Sequence, residues 1–336
     1  MPSFTPGIIR CAVAGFAAAF ASAMPMISSA QDAAKDYPSK PIFLIVPYAP
    51  GGSSDTRARQ VGQKLSQILG KPVLVDNKAG GGGNIGTEAI AKAAPDGYTI
   101  GIGNFAPLAV NKALMPKMPF DPAKDLTPII LLEKGPILLL VNEKSPYKTL
   151  KDLMADAKAK PDKLSYASAG QGGAYHLAGE QFKDITGLQT THIPYKGGGP
   201  AVNDLLGGVV DYMFDWITAG IPFVTSNPPK MRALAITSDK RSPQLPNVPT
   251  FDELGVKGMV MSNWFGIVGP KNMPPAIVAK LNAAINQALA DPELKERITS
   301  GGNEVGGGDP QVFAKFIASE SDRWSKLIKA KGIKPE

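Results

Sequence analysis

Short apolar runs alternate with helix-period segments from about residue 42 to residue 237, and this alternation constrains the fold more than any other feature. Repeated strand–helix–strand units cover a sheet with helices, the pattern of an α/β chain built on parallel strands. IFLIVPY (Ile42 to Tyr48) reads as the first strand. The helix after it puts Val61, Leu65, Ile68 and Leu69 on one face and stops at Gly70. PVLVD reads as a second strand, followed by KAGGGGNIG and a helix from about Thr87 to Ala94, and YTIGIG reads as a third. Thr149 opens a helix carrying Leu150, Leu153 and Ala157, in the Thr-x-x-Asp spacing of a capping box. LSYAS leads into the loop AGQGGAYH and a helix ending at Gly187. THIPYKG, a short helix through Leu205 and Leu206, VDYMFD and MRALAIT complete the middle section. PAIVAKLNAAINQAL and PQVFAKFIASESDRWSKLIKA read as amphipathic helices, each opened by Pro.

The first thirty residues stand outside this pattern. Arg10 is their only charged side chain, CAVAGFAAAFASA is an apolar core, and Ser28-Ser29-Ala30 suits cleavage before Gln31. Residues 1–30 are therefore expected to be a signal peptide of an exported, periplasmic protein. Pro25 and the short apolar run argue against a membrane anchor. The single Cys, Cys11, falls inside this segment, so a mature chain has no disulfide and no Cys-based metal site. Arg10 before Cys11 argues against a lipid anchor. The 36 Lys and Arg against 29 Asp and Glu give a net charge of +7, and they are scattered. Without a basic stripe interleaved with aromatics, no nucleic-acid partner is expected.

Several chemistries have no motif to carry them. There is no G-x-x-x-x-G-K-[ST], so the glycine loops are not a nucleotide P-loop. GIGNFA after the third strand resembles a dinucleotide fingerprint only weakly, because Pro107 follows at once. No cofactor is expected. The two histidines, His176 and His192, lie in different elements without metal-ligand spacing, so no metal is expected. No G-x-S-x-G elbow occurs. Ser168 and His176 could meet across the loop between them, which leaves an exported hydrolase as an alternative reading. No third orienting acid is evident, so binding without catalysis is favoured.

The glycine loops speak for binding. In PYAPGGSSD, Gly51 and Gly52 allow close backbone approach, Ser53 or Ser54 can cap the helix, and Asp55 sits in its first turn. A well-capped helix would suffice to explain that loop alone. AGQGGAYH is a second glycine-rich helix start, and four consecutive glycines in KAGGGGNIG keep backbone close to something. No Arg occurs in these loops, so an anion would be held by backbone N–H groups and hydroxyls, which suits a carboxylate.

From about Pro38 to Ile328 the chain resembles the Bug receptors, the extracytoplasmic solute-binding proteins of tripartite tricarboxylate transporters. The motifs that carry the resemblance are YPSKPIFLIVPYAPGGSSD, VLVDNKAGGGGNIGTEAIAKAAPDGYTI, LSYASAGQGGAYHLAGEQF, HIPYKGGGPAVNDLLGG, VDYMFD and MRALAITSDKRSPQLPNVPTFDELG, in this order, with the final helices. The resemblance implies a two-domain periplasmic-binding-protein (flytrap) fold, with two mixed or parallel sheets flanked by helices and joined by two crossover strands. It places the crossings near Ile129–Val141 and Met259–Val268. Domain 1 would comprise 31–135 plus 262–336, and domain 2 would comprise 136–261.

The same resemblance implies a carboxylate held between Tyr48, Ala49, Gly52, Ser53, Ser54 and Asp55 on one side and Ser168, Ala169, Gly170 and Gly172 on the other. An unpaired Asp55 would repel it, so bridging waters or a ligand amine are expected between them. Candidates at the selectivity end are Asn77, Gly82, His176, Tyr195 and Asp215. His176 and Tyr195 could equally satisfy partners in their own domain, and Asp215 could cap the turn at Thr218. Trp216 and Trp264 read as packing residues. KAGGGG departs from the Pro-Gly-Ala-Gly-Gly more usual in the second loop, leaving one pocket wall open. The implied ligand is a small carboxylate, whether a dicarboxylate, an acidic amino acid or an aromatic carboxylate. The implied partner of this monomer is an integral-membrane permease, or alternatively a sensor kinase.

Overall fold

The computed structural model describes residues 1–3, 35–115, 117–300 and 302–331. Arg10, Cys11 and the expected cleavage site before Gln31 lie outside the described residues.

The first lobe begins with β1 (Ile42–Val46), whose Ile42, Leu44, Ile45 and Val46 are buried. Helix α1 (Ser53–Leu69) buries Ala58, Val61 and Leu65, and ends at Gly70, whose φ of 67° provides the left-handed cap. Strand β2 (Val73–Asn77) follows. The four-glycine run then turns through Gly81–Gly83 into α2 (Asn84–Ala91), so this helix starts three residues before the sequence pattern suggests. All of Gly80–Gly83 have positive φ, which explains the glycines. Strand β3 (Thr99–Asn104) runs into a buried π-helical turn at Ala106–Val110 and the short α3 (Asn111–Leu114).

β4 (Leu126–Asn142) belongs to both lobes. The second lobe continues with α4 (Leu150–Ala159), capped at Thr149 by the full capping box with Asp152. It then builds β5 (Ser165–Ser168), α5 (Ala174–Thr186), β6 (Thr191–Pro194), α6 (Gly198–Gly207), β7 (Tyr212–Trp216), α7 (Ile217–Val224) and β8 (Met231–Ile236). The chain returns to the first lobe as β9 (Ser262–Pro270), followed by α8 (Pro275–Ala290), α9 (Pro292–Thr299), β10 (Glu304–Gly307) and α10 (Pro310–Lys331). Helix α9 carries no separate expectation in the sequence pattern.

The sheet topology divides along β4. Its first part pairs antiparallel with β9 and β10, while Ile137–Asn142 pair antiparallel with β7 and β8. Each lobe adds parallel strands, β2-β1-β3 in the first and β7-β5-β6 in the second. The arrangement is a mixed α/β fold, with purely parallel pairing restricted to the strands that lead into loops and helices. The second passage between lobes is short. Met261 N–H donates to Thr237 O in the second lobe, and the next residue, Ser262, already pairs with Pro136. Trp216 and Trp264 are both buried here, Trp216 edge-on to Phe265 at 4.5 Å and Trp264 between Phe105, Phe313 and Phe316. Trp264 packs in the first lobe, whereas Trp216 packs on Phe265 and also borders a groove between the lobes.

Candidate functional site

Loops at the carboxyl ends of β1, β3, β5 and β6 meet between the lobes, where open α/β sheets bind ligands. The lobes touch there through backbone. Ala49 N–H donates to Lys196 O at 2.9 Å, and a Cβ on Gly52 would stand 3.2 Å from Gly198 N. On the other flank, a Cβ on Gly82 would fall 2.5 Å from Gln171 O. Glycine at these points lets the loops close on one another.

The closed loops leave between them a small cavity, about 30 Å³, that opens to solvent. Three helix N-termini form much of the wall: Ser53 and Ser54 of α1, Gly173 to Tyr175 at the start of α5, and Gly198 of α6. Each of these helices has a glycine as N-cap (Gly52, Gly173, Gly197) and no side-chain cap. By contrast, α4 is capped by Thr149 and α9 by Asp291. The first-turn N–H groups at the cleft are thus left for something else, and the helix dipoles add positive potential. Gly82, Ala169 and Gly170 complete the wall with Tyr48, Asn104, Asn263 and Phe265. Among the described residues, no charged side chain lines this cavity.

The polar side chains of the wall are joined to one another. Asn104 Nδ2 donates to the Tyr48 hydroxyl at 2.8 Å, and burial pushes that phenol up to about 12. The Tyr175 hydroxyl receives Asn263 Nδ2 at 3.2 Å and lies 3.3 Å from Ser53 Oγ, so it ties the second lobe to the first. Burial pushes the Asp215 carboxyl up to about 7, opposed by the bond from Trp216 N–H and by the neighbouring Tyr175 hydroxyl.

The structure distributes the sequence candidates unevenly. Tyr48, Ser53, Ser54, Gly82, Ala169 and Gly170 line the cavity. Ala49, Gly52 and Asp215 face a separate, wider groove between α1 and α6. Asp55 is not an unpaired acid. Its carboxylate accepts from Gly51 N–H (3.1 Å), from Arg59 Nε (3.1 Å) and Nη2 (2.9 Å), and from Asn77 Nδ2 (3.0 Å). Burial opposes its ionisation, but Arg59, Gly51 and Asn77 outweigh that and hold it below its usual range. Repulsion between Asp55 and an anion therefore needs no bridging amine, because Arg59 supplies the countercharge. Asn77 also donates to Tyr48 O, bracing the first loop rather than lining the cavity.

The Ser168–His176 pairing is corrected. Ser168 Oγ bonds His192 Nε2 at 2.7 Å and Gly170 O at 3.1 Å, and Ser168 is fully buried off the cavity. His176 Nδ1 accepts from Gly172 N–H, and its ring stacks on His192 at 4.1 Å. Burial depresses His192 to about 4, so it is neutral. Ser168, Gly172 and His176 thus shape the loop from within. Tyr195 donates to Asp204 Oδ2 at 2.6 Å within its own lobe and borders a neighbouring recess beside Lys196. Sequence reasoning missed Asn104, Gly173, Ala174, Tyr175, Gly198, Asn263 and Phe265. Gly173, Ala174 and Tyr175 lie within the glycine-rich helix start AGQGGAYH, and Gly198 lies in another, YKGGGP; Asn104, Asn263 and Phe265 have no such cue. Among the described residues, no three His, Cys, Asp or Glu side chains cluster as metal ligands.

With the site described, its relatives can be set beside it. The profile of the tripartite tricarboxylate transporter family receptor matches residues 57–333. Protein BugT of Bordetella pertussis is 41% identical over 302 residues, covering 90% of this chain and 92% of BugT. Rpa4515 of R. palustris, solved with adipate, superposes with a TM-score of 0.85 at 36% identity, covering 90% of this chain and all of that one. MatC (Rpa3494) from Rhodopseudomonas palustris, solved with malate, gives 0.82 at 34%, covering 87% of this chain and all of that one.

Proposed function

Because the chain belongs to the tripartite tricarboxylate transporter receptor family, we propose that it captures a small carboxylate between its lobes and presents it to an integral-membrane permease. The observation that carries this reading is the convergence of three helix N-termini, none capped by a side chain, on one cavity without charged walls. Such a site binds an anion through main-chain N–H groups and rejects a cation. Adipate and malate in the two related structures are both carboxylates, which supports the same class here. The lobes, taken as 31–135 with 262–336 and as 136–261, hinge about β4 and the link before β9. Cleavage before Gln31 would release the receptor into the periplasm. Closure carries the message to the membrane, since the wide groove between α1 and α6 takes its walls from both lobes. Capture requires no covalent chemistry.

Thermal-shift measurements on the chain from Gln31 onward test the reading, with a carboxylate library and matching neutral amides. A ligand at about a hundred times its dissociation constant stabilises the fold by about 2.7 kcal/mol. The expected result is a rise in melting temperature with carboxylates only. Equal shifts from the amides, or none from any carboxylate, would overturn it.

A further inference from the structure

Among the described residues that line the cavity, Asn104 alone has a buried side-chain polar atom with no hydrogen-bond partner. Asn104, at the end of β3 and opposite Phe265 of β9, is 5% exposed. Its Nδ2 is spent on the Tyr48 hydroxyl, while its Oδ1 is buried and has no hydrogen-bond partner. The other interior amide of the wall is saturated: Asn263 donates to Tyr175 and accepts from Trp264 N–H. The Tyr175 hydroxyl is likewise engaged by Ser53 and Asn263. A buried acceptor without a donor is costly, and sites so built discriminate strongly for ligands that supply one.

We infer that Asn104 is a specificity-determining residue that accepts a hydrogen bond from a hydroxyl on the ligand, so that the preferred class is hydroxycarboxylates. The inference rests on the carboxylate reading above and narrows it. A hydroxyl fits better than an ammonium, because no anionic side chain lines the cavity to balance a positive charge. The three helix N-termini take the carboxylate, and Asn104 reads what stands beyond it. Tyr48, by accepting from Asn104, keeps its own proton to donate to the same ligand.

Titration calorimetry on the mature chain tests this with matched pairs: lactate against propionate, 3-hydroxybutyrate against butyrate, and malate against succinate. In at least one pair the hydroxylated member is expected to bind about tenfold tighter. Asn104→Ala should bring that pair to near equality, while Asn104→Asp, which keeps an acceptor oxygen, should retain the preference at weaker overall affinity. The wild-type comparison stands even where a variant fails to fold. Binding of every pair with equal affinity would overturn the inference and leave the carboxylate reading intact. A preference that survives Asn104→Ala would overturn the assignment to this residue. Absence of binding by all six acids, where another carboxylate of the library binds, would overturn the inference alone; absence of binding by every carboxylate would overturn both readings.

Discussion

The hydroxyl of Tyr175, carried by the second lobe, lies 3.3 Å from the hydroxyl of Ser53 on the first, beside the cavity both residues line. With Asn263 Nδ2 donating to the same oxygen, Tyr175 makes two bonds that exist only while the lobes are together. Tyr175→Phe keeps the ring and deletes both. It is expected to weaken carboxylate binding by roughly five- to thirtyfold, from the loss of about 1–2 kcal/mol. Calorimetric titration with the best ligand checks this, and wild-type affinity in the variant would show that the hydroxyl does not hold the closed form.

Gly82 gives a second, steric test. Its φ is +61°, and a Cβ there would meet Gln171 O of the facing lobe at 2.5 Å. Gly82→Ala should therefore impair closure more than folding, since the local strain costs only about 1–2 kcal/mol. Small-angle scattering with saturating ligand should show a larger radius than the wild type, together with at least tenfold weaker binding.

The carboxyl of Asp215 supplies a pH dependence with a definite sign. Burial raises it to about 7 in the folded chain, above the ordinary 3.8. The folded state then binds the proton more tightly than the unfolded one, so stability is greatest below the ordinary value and falls as pH rises toward 7. Urea unfolding at pH 5 and pH 8 should show this loss, and Asp215→Asn should flatten the slope. An unchanged slope in the variant would assign the pH dependence elsewhere.

Beneath the wider groove, Arg57 and Glu133 form a buried pair, with Nη2 to Oε2 at 2.9 Å and Asn303 Nδ2 donating to the same Oε2. Removing one partner leaves an unbalanced buried charge. Arg57→Met is expected to destabilise the fold by about 3–5 kcal/mol, measured by chemical denaturation, with Arg57→Met/Glu133→Leu recovering much of the loss.

What was legible in the sequence was local. Gly-rich segments between strand and helix patterns mark Ser53, Gly82 and Gly170 without any knowledge of the partner lobe. The loop alone does not show how Asp55 is balanced: Arg59 lies one turn further along α1, the spacing that pairs side chains on a helix. The Ser168–His176 expectation failed because strand pairing decides the matter. β5 and β6 run parallel with Ala167 opposite Ile193, which brings His192 to Ser168 across 24 residues of sequence. Asn104 and Asn263 were illegible for a similar reason. Asn104 ends β3 and Asn263 is the second residue of β9, and only the pairing of β9 with β3 and with β4 brings both to one cavity.

The most direct test of the central claim is a ¹⁵N chemical-shift titration of the mature chain with its best carboxylate. If three helix N-termini clamp the anion, the amide signals of Ser53, Ala174 and Gly198 should move together, downfield and saturably, at one ligand affinity. Shifts confined to one of these helices, or centred on side chains elsewhere, would contradict the clamp.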